Sequence, residues 1–421
     1  MKLNKGLPLF AYCLLSVFLL FSCGKKNRVS EETKEDVITE LTKSTLPITN
    51  SIFYLENSGS MLGYVATGGS DFVRSVAEIV SKSDFNDTDK KYFLINAVTT
   101  PLGDSKQKFN QALSPTGMRQ GNIADSDLVK MISQVMNHAN DSSISILITD
   151  AIFSIQNKSK SLIENQLITK SGDTKTEFYN MLSKWDMQTI LIKMNSHFKG
   201  NYYTASGSRI AVDHNRPYYI WIFGPSAHLS TVFNSNYIET LPGYEAMSRF
   251  LLLDKENEVN FAIVNNNRKG KFKQSKKDPA LLTFEGRDRN TKEFQFSVAI
   301  DLSHIPCSNE YFKDPMNYSI SSNYELIEIA ETTDVKFTQK LSFTPTHLLT
   351  FRATQTPFGE LSVALLSDRN KWVEESSNID DSIVDSYSTF GFSYLVEGVR
   401  RAYHEKQGDS NLLNFKITVN K

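Results

Sequence analysis

The chain has 421 residues, 40% hydrophobic and 22% charged, with 27 Phe and 17 Tyr; this excludes collagen-like, mucin-like and wholly disordered classes, because ample apolar area is available to bury. Its 46 basic side chains balance 47 acidic ones, so no global field exists to hold nucleic acid, and nucleic acid is not an expected partner. Three cysteines are too few for a disulfide framework, and the length suits two domains better than one core.

Lys2 and Lys5 precede an apolar run from Leu7 to Phe21, which closes in Leu20-Phe21-Ser22-Cys23-Gly24. A positive start before an apolar stretch too short to span a bilayer is the secretory pattern. The junction resembles a bacterial lipoprotein signal, in which a small residue precedes the cysteine that is lipidated and becomes the new amino terminus; Ser22 and Cys23 match, while Phe21 is bulkier than usual. The resemblance implies removal of residues 1–22, lipid chains on Cys23, and a body held against a lipid membrane on its extracytoplasmic side. Residues 23–47 are polar and charged and read as a tether. The acid-rich Glu31–Asp36 resembles sorting signals of surface-exposed lipoproteins in outer-membrane bacteria, but Lys25, Lys26 and Arg28 beside the cysteine depart from them. An outer-membrane anchor in a bacterial cell envelope is expected, with inward and outward display both open.

Residues 48–250 alternate short apolar strands with amphipathic helices. Ser51–Leu55 is a β-prone run ending in the polar loop Glu56-Asn57-Ser58-Gly59-Ser60, and apolar positions 72, 73, 76, 79 and 80 suit one helix face. Strands are predicted at 91–98, 144–150, 189–194 and 218–224, and helices at 128–136, 177–182 and from Ala227. This alternation predicts an α/β fold with an open, mostly parallel sheet and helices on both faces, whose ligand sites lie beyond the carboxyl ends of the strands.

Glu56-Asn57-Ser58-Gly59-Ser60 after the first strand, with Leu147-Ile148-Thr149-Asp150 after a later one, resembles a von Willebrand factor A domain with a divergent metal-ion-dependent adhesion motif. The resemblance implies a divalent cation held by Ser58 and Ser60, by Asp150, and by a middle-loop hydroxyl, for which both Ser126 and Thr116 stand as candidates. Glu56 occupies the place of the family's aspartate, a longer carboxylate that can reach the ion or a water on it. Hydroxyls and carboxylates suit a hard ion, Mg or Ca, and no His/Cys cluster suits zinc. The competing reading makes Ser58, Gly59 and Ser60 a tight turn and helix cap. Asp125 and Asp127 would enrich a negative rim.

From residue 257 to 421 β-prone segments dominate, at 259–264, 281–284, 294–300, 324–329, 343–351, 361–366 and 415–419, and predict an antiparallel, sandwich-like β-rich domain. Apolar residues at 392, 395, 396, 399 and 403 fit a late helix covering that module or the domain boundary. Six basic residues between Arg268 and Lys277 read as a solvated hairpin loop or as a patch for lipid headgroups or acidic glycans. The leading expectation is a tethered recognition protein whose partner is an envelope or extracellular protein or another macromolecule. A metal-dependent phosphate-ester hydrolase, with Glu56 and Asp150 at the ion and His197 or His228 as acid/base, is the different-class alternative. A structural envelope component with a degenerate metal site is the third.

Overall fold

A computed structural model describes residues 47–421 apart from 83–84, 86, 122–125, 156, 158, 253–258, 276, 304, 306, 308, 322, 367–370 and 409–410. The leader, Cys23 and nearly all of the tether lie outside the described residues. Among the described residues, no helix is long and apolar enough to cross a membrane.

The first sheet comprises β1 (Asn50–Glu56), β2 (Asp89–Ile95), β3 (Thr99–Gly103), β4 (Ser143–Thr149), β5 (Met187–Tyr203), β6 (Arg209–Pro225) and β7 (Tyr244–Phe250), in the order β3-β2-β1-β4-β6-β5-β7. Helices α1 (Asp71–Ser81), α2 (Lys106–Ala112), α3 (Leu128–His138), α4 (Lys160–Leu182), α5 (Ser226–Val232) and α6 (Ser235–Glu239) connect or flank these strands. Strand β1 alternates across the sheet: Phe53 and Leu55 enter one core with Phe72, Val76 and Ile79 of α1, while Ile52 and Tyr54 enter the other with Met131, Ile132 and Val135 of α3. Helices therefore cover both faces, as the strand periodicity of two requires when each face must be buried.

The expectation of a mostly parallel sheet is corrected, because the sheet is mixed. Strand β1 is parallel to β2 and β4, whereas β2–β3, β4–β6, β6–β5 and β5–β7 are antiparallel. The cause is local: β5 and β6 are joined by residues 204–208, a turn closed by the Ser208 carbonyl accepting from the Thr204 amide and the Thr204 carbonyl from the Gly207 amide, both at 2.9 Å. So short a connection permits only an antiparallel neighbour. The two strands pair over 17 residues each, from Met187↔Pro225 to Tyr203↔Arg209, well past the stretch of β5 that pairs with β7, which ends at Met194↔Tyr244.

The β-rich region follows as β8 (Phe261–Lys269), β9 (Lys271–Gln274), β10 (Leu281–Gly286), β11 (Gln295–Ile300), β12 (Tyr318–Ile320), β13 (Tyr324–Glu331), β14 (His347–Ala353), β15 (Gly359–Leu366), the short pair β16 (Ser377–Asn378) and β17 (Thr389–Phe390), and β18 (Asn411–Asn420). Helices α7 (Asn309–Lys313), α8 (Lys371–Glu375) and α9 (Phe392–Gln407) interrupt it. Sheets β13-β14-β11-β8 and β12-β15-β18-β10-β9 are antiparallel apart from the parallel β10–β18 pair. They contribute to one buried cluster, including Phe296, Val298 and Phe351 from the first sheet and Val363, Phe415 and Ile417 from the second. The basic run leads from the end of β8, in one sheet, into β9, which pairs with β10 in the other, and several of its cations are engaged within the chain. Lys269 bonds Glu293, Lys273 bonds Glu285, and Arg268 lies over the Phe272 ring at 3.9 Å.

The late helix α9 exists as its periodicity predicts, and its apolar face packs on the first sheet rather than on the β-rich module. Phe392, Leu395, Val399 and Tyr403 join the core on the α3/α4 face of the first sheet. Phe392 stacks on Tyr219 with ring centroids 4.1 Å apart, and the Tyr403 hydroxyl bonds Thr189 on β5 at 2.9 Å. The contact with α4 is close: a Cβ at Gly398 would stand 2.5 Å from the Ser171 carbonyl, so glycine is needed there.

Candidate functional site

The strand order reverses between β1 and β4: the chain leaves β1 for β2 and β3 on one side and then crosses to β4 on the other; a crevice at the carboxyl ends of such strands is the usual ligand position in open α/β sheets. Glu56 ends β1, and Thr149 ends β4 just before Asp150. Both carboxylates are buried, as are Ser58, Ser126 and Thr149. The Thr149 hydroxyl donates to Glu56 Oε2, the hydroxyls of Ser58 and Ser126 lie near enough to favour the charged form of Glu56, and that of Ser60 does the same for Asp150. Ser58 and Ser60 touch each other, Oγ to Oγ, at 3.0 Å. Glu56, Ser58, Ser60, Ser126 and Asp150 are thus brought together. Thr116 is exposed just ahead of the 3-10 turn Gly117–Arg119. Asp127 caps α3, accepting from the Lys130 amide at 3.3 Å, and Asp125 lies outside the described residues.

Backbone and side-chain bonds hold the loop in place. The Ser58 carbonyl accepts from the Met61 amide at 3.1 Å, opening the 3-10 turn Met61–Tyr64. Asn57 donates to the Gln120 carbonyl at 2.8 Å and to that of Met118 at 3.3 Å, tying the β1 loop to the middle loop. At the other strand end Ala151 adopts φ 54°, a left-handed conformation that costs an alanine on the order of 1 kcal/mol, and its amide donates to the Thr149 hydroxyl at 2.9 Å. This is the kind of strain that fixed sites carry. The Asp150 carboxylate accepts from the Ile152 amide at 3.3 Å.

The electrostatics follow from burial. Desolvation, helped by the Asp150 charge, pushes the Glu56 carboxyl up to about 8 against the neighbouring hydroxyls of Ser58, Thr149 and Ser126. Desolvation also raises the Asp150 carboxyl, opposed by the Ser60 hydroxyl, the charge of Arg216 and the Ile152 amide. Two carboxylates beside one guanidinium leave a net negative charge that a proton on Glu56 or a cation between the carboxylates would neutralise. Among the described residues Glu56 Oε1 and Asp150 Oδ2 are buried without a hydrogen-bond partner, an expensive arrangement for carboxylate oxygens unless something else meets them. This donor set suits a hard cation. Among the described residues no group of three or more His, Cys, Asp and Glu is placed to hold a metal, so hydroxyls would have to complete a coordination shell here.

Arg216 and Thr149 are site residues that motif reading missed. Arg216 sits on β6 opposite Ser196, immediately before the apolar run Pro217–Phe223; its signal was a single cation leading into a strand buried on both faces. The histidines do not join this site. His197 bonds Asp213 at 3.0 Å on the half-exposed β5–β6 hairpin, and His214 is partly exposed there, bonding the Asn215 carbonyl at 2.8 Å. His228 belongs to α5, beyond the far end of β6, where Phe223 pairs with Ser145 at the start of β4 rather than its end. Among known proteins, no family model matches the chain, and no curated sequence matches it.

Proposed function

We propose that this chain is a lipid-anchored envelope protein, attached through Cys23, whose α/β domain resembles a von Willebrand factor A domain. It binds Mg or Ca through Ser58, Ser60, Asp150 and Glu56, with Ser126 as the middle-loop donor, and recognises a protein or other macromolecule through that ion. The β-rich region is a sandwich-like module behind it. The observation that carries the reading is the gathering of two buried carboxylates and four hydroxyls at the carboxyl ends of β1 and β4, with one oxygen of each carboxylate unmet. The bound ion would supply a Lewis-acidic position for an oxygen ligand, while Thr149 and Ser126 orient Glu56 and Ser60 orients Asp150. The hydrolase reading loses support from His228, which lies at the opposite end of the sheet from Asp150.

A second reading rests on the charge balance at Glu56. A proton there and the Arg216 charge near Asp150 neutralise the site without metal, as a degenerate site in a structural envelope protein would require. Calorimetry with Mg2+, Ca2+ and Mn2+ on the folded wild type and S58A/S60A separates the two. Cation binding by the wild type, lost in the folded double variant, supports recognition; no binding to the wild type, or equal binding to both, supports the degenerate site. A phosphate-ester assay should remain negative, and turnover abolished by D150A would move the protein to the hydrolases.

A further inference from the structure

Arg216 is buried to 1% exposure. Its guanidinium carbon lies 4.5 Å from the Tyr202 ring centroid and 5.2 Å from that of Phe198, and its Nε and Nη1 have no hydrogen-bond partner among the described residues. Ring faces compensate part of the charge, but unmet N–H donors on a desolvated cation remain strongly unfavourable. Planar guanidinium donors match the paired oxygens of an acidic group such as a carboxylate. The Arg216 charge reaches Asp150 on the candidate ion site and Asp385 on the segment 379–388.

That segment follows β5 past the point where β7 ends. Asp381 accepts from the Tyr202 hydroxyl at 3.1 Å and from the Ala205 amide at 2.8 Å. Val384 packs on the core that contains Phe198 and Tyr64, and the Ser386 carbonyl accepts from the Asn195 side chain at 3.3 Å. Asp385 bonds its own neighbours, accepting from the Tyr387 amide at 2.9 Å and the Ser388 amide at 2.6 Å. These contacts to β5 are side-chain bonds rather than a strand ladder, the kind of attachment that opens below the global unfolding free energy. The segment also presents Ile383 and Tyr387 to solvent, at 80% and 59% exposure. Tyr203, next to the Tyr202 that holds Asp381, is 52% exposed and stands over the ion loop, so that a Cβ on Gly59 would lie 3.4 Å from its ring.

We propose that Arg216 is the anion-binding residue of this site, pairing with a carboxylate that an acidic partner protein brings to the ion at Ser58, Ser60 and Asp150, and that residues 379–388 form a strap which screens Arg216 until the partner displaces it. The proposal rests on the cation-recognition reading given above. A divalent ion and a guanidinium side by side favour an acidic group over any other, and the apolar side chains of Tyr203, Ile383 and Tyr387 offer the partner contact area at the strap.

Acetate is the probe, titrated into the full chain loaded with Mg2+ and followed by saturation-transfer NMR. D381A/D385N, which releases the strap, should bind acetate at least threefold more tightly than the wild type, a gain that misfolding does not produce. Adding R216M to that background should weaken acetate at least fivefold while Mg2+ affinity does not fall. If R216M does not fold, R216K, which keeps the charge without the planar donors, should show at least a threefold loss. Unchanged acetate binding in D381A/D385N, or equal binding after Arg216 is replaced, overturns the proposal even where Mg2+ binds. Absence of Mg2+ binding to the wild type overturns the cation reading instead; an acetate gain on strap release in chelator, removed by R216M, would then still assign the anion to Arg216.

Discussion

Replacing Glu56 with Gln should abolish a pH dependence that the buried carboxyl imposes on the metal-free fold. The ordinary carboxyl value of 4.5 is raised to about 8, by desolvation first and by the Asp150 charge second. Below about pH 4.5 Glu56 is protonated in both folded and unfolded chains and contributes no pH dependence. Between about 4.5 and 8 the folded chain keeps a proton that the unfolded chain has released, so the unfolded state binds fewer protons and stability falls as pH rises. At about 1.36 kcal/mol per tenfold difference in proton affinity, the loss by pH 8 is on the order of 5 kcal/mol. Gln retains an oxygen to accept the Thr149 hydroxyl bond that Glu56 Oε2 accepts but carries no titratable proton. Urea unfolding of wild type and E56Q in chelator, from pH 5 to 9, reads this group together with its coupling to Asp150, because the remaining titrations are common to both proteins. The variant should gain on the wild type steadily with pH and exceed it by several kcal/mol at pH 8. A constant difference between the two proteins would refute the reasoning, and so would a wild type that gains on E56Q as pH rises.

Other expectations follow from attachment and packing. Intact-mass analysis of membrane-extracted protein should show a mature chain beginning at a diacylated or triacylated Cys23; an unmodified Cys23 in native protein contradicts the anchor. Gly63→Ala places a Cβ 2.3 Å from the Phe198 ring, forcing the 3-10 turn away from β5, and should cost about 1–3 kcal/mol in chemical unfolding. Phe392→Ala removes a fully buried ring stacked on Tyr219 and tilted against Trp372. It should cost about 3–5 kcal/mol, whereas a loss under 1 kcal/mol would mean that α9 does not seal this face.

The parts legible in the sequence were those whose local pattern decides their structure. The run before Glu56 is a continuous apolar stretch and the run before Asp150 is nearly so, broken only by Ser145, as strands buried on both faces require, and each ends in polar residues. Helices α1 and α3 showed their buried faces through spacing and carry Ser70 and Asp127 as side-chain caps. Residues 160–176 of α4 did not, because their buried face includes Ser171 and Thr174 packed against Gly398, small residues that carry no hydrophobic signal. The direction of β6 was hidden because strand patterns are the same for parallel and antiparallel neighbours; the turn at 204–208 decides it. The polar stretches Asn195–Lys199 and Arg209–Asn215 read as connections, yet they form the outer half of a hairpin that extends beyond β7. Arg216 was illegible as a site residue for a related reason: only the antiparallel return of β6 carries it back to the carboxyl end of β4.

The most direct measurement of the central claim is anomalous diffraction from crystals of the full soluble body soaked in Mn2+. The account predicts one strong peak with oxygen ligands from Ser58, Ser60 and at least one of Glu56 and Asp150, at coordination distances of roughly 2.0–2.6 Å, and its absence from S58A/S60A crystals treated alike. A protein that takes up Mn2+ only elsewhere, or leaves the Glu56–Asp150 crevice without a peak at saturating ion, would contradict it.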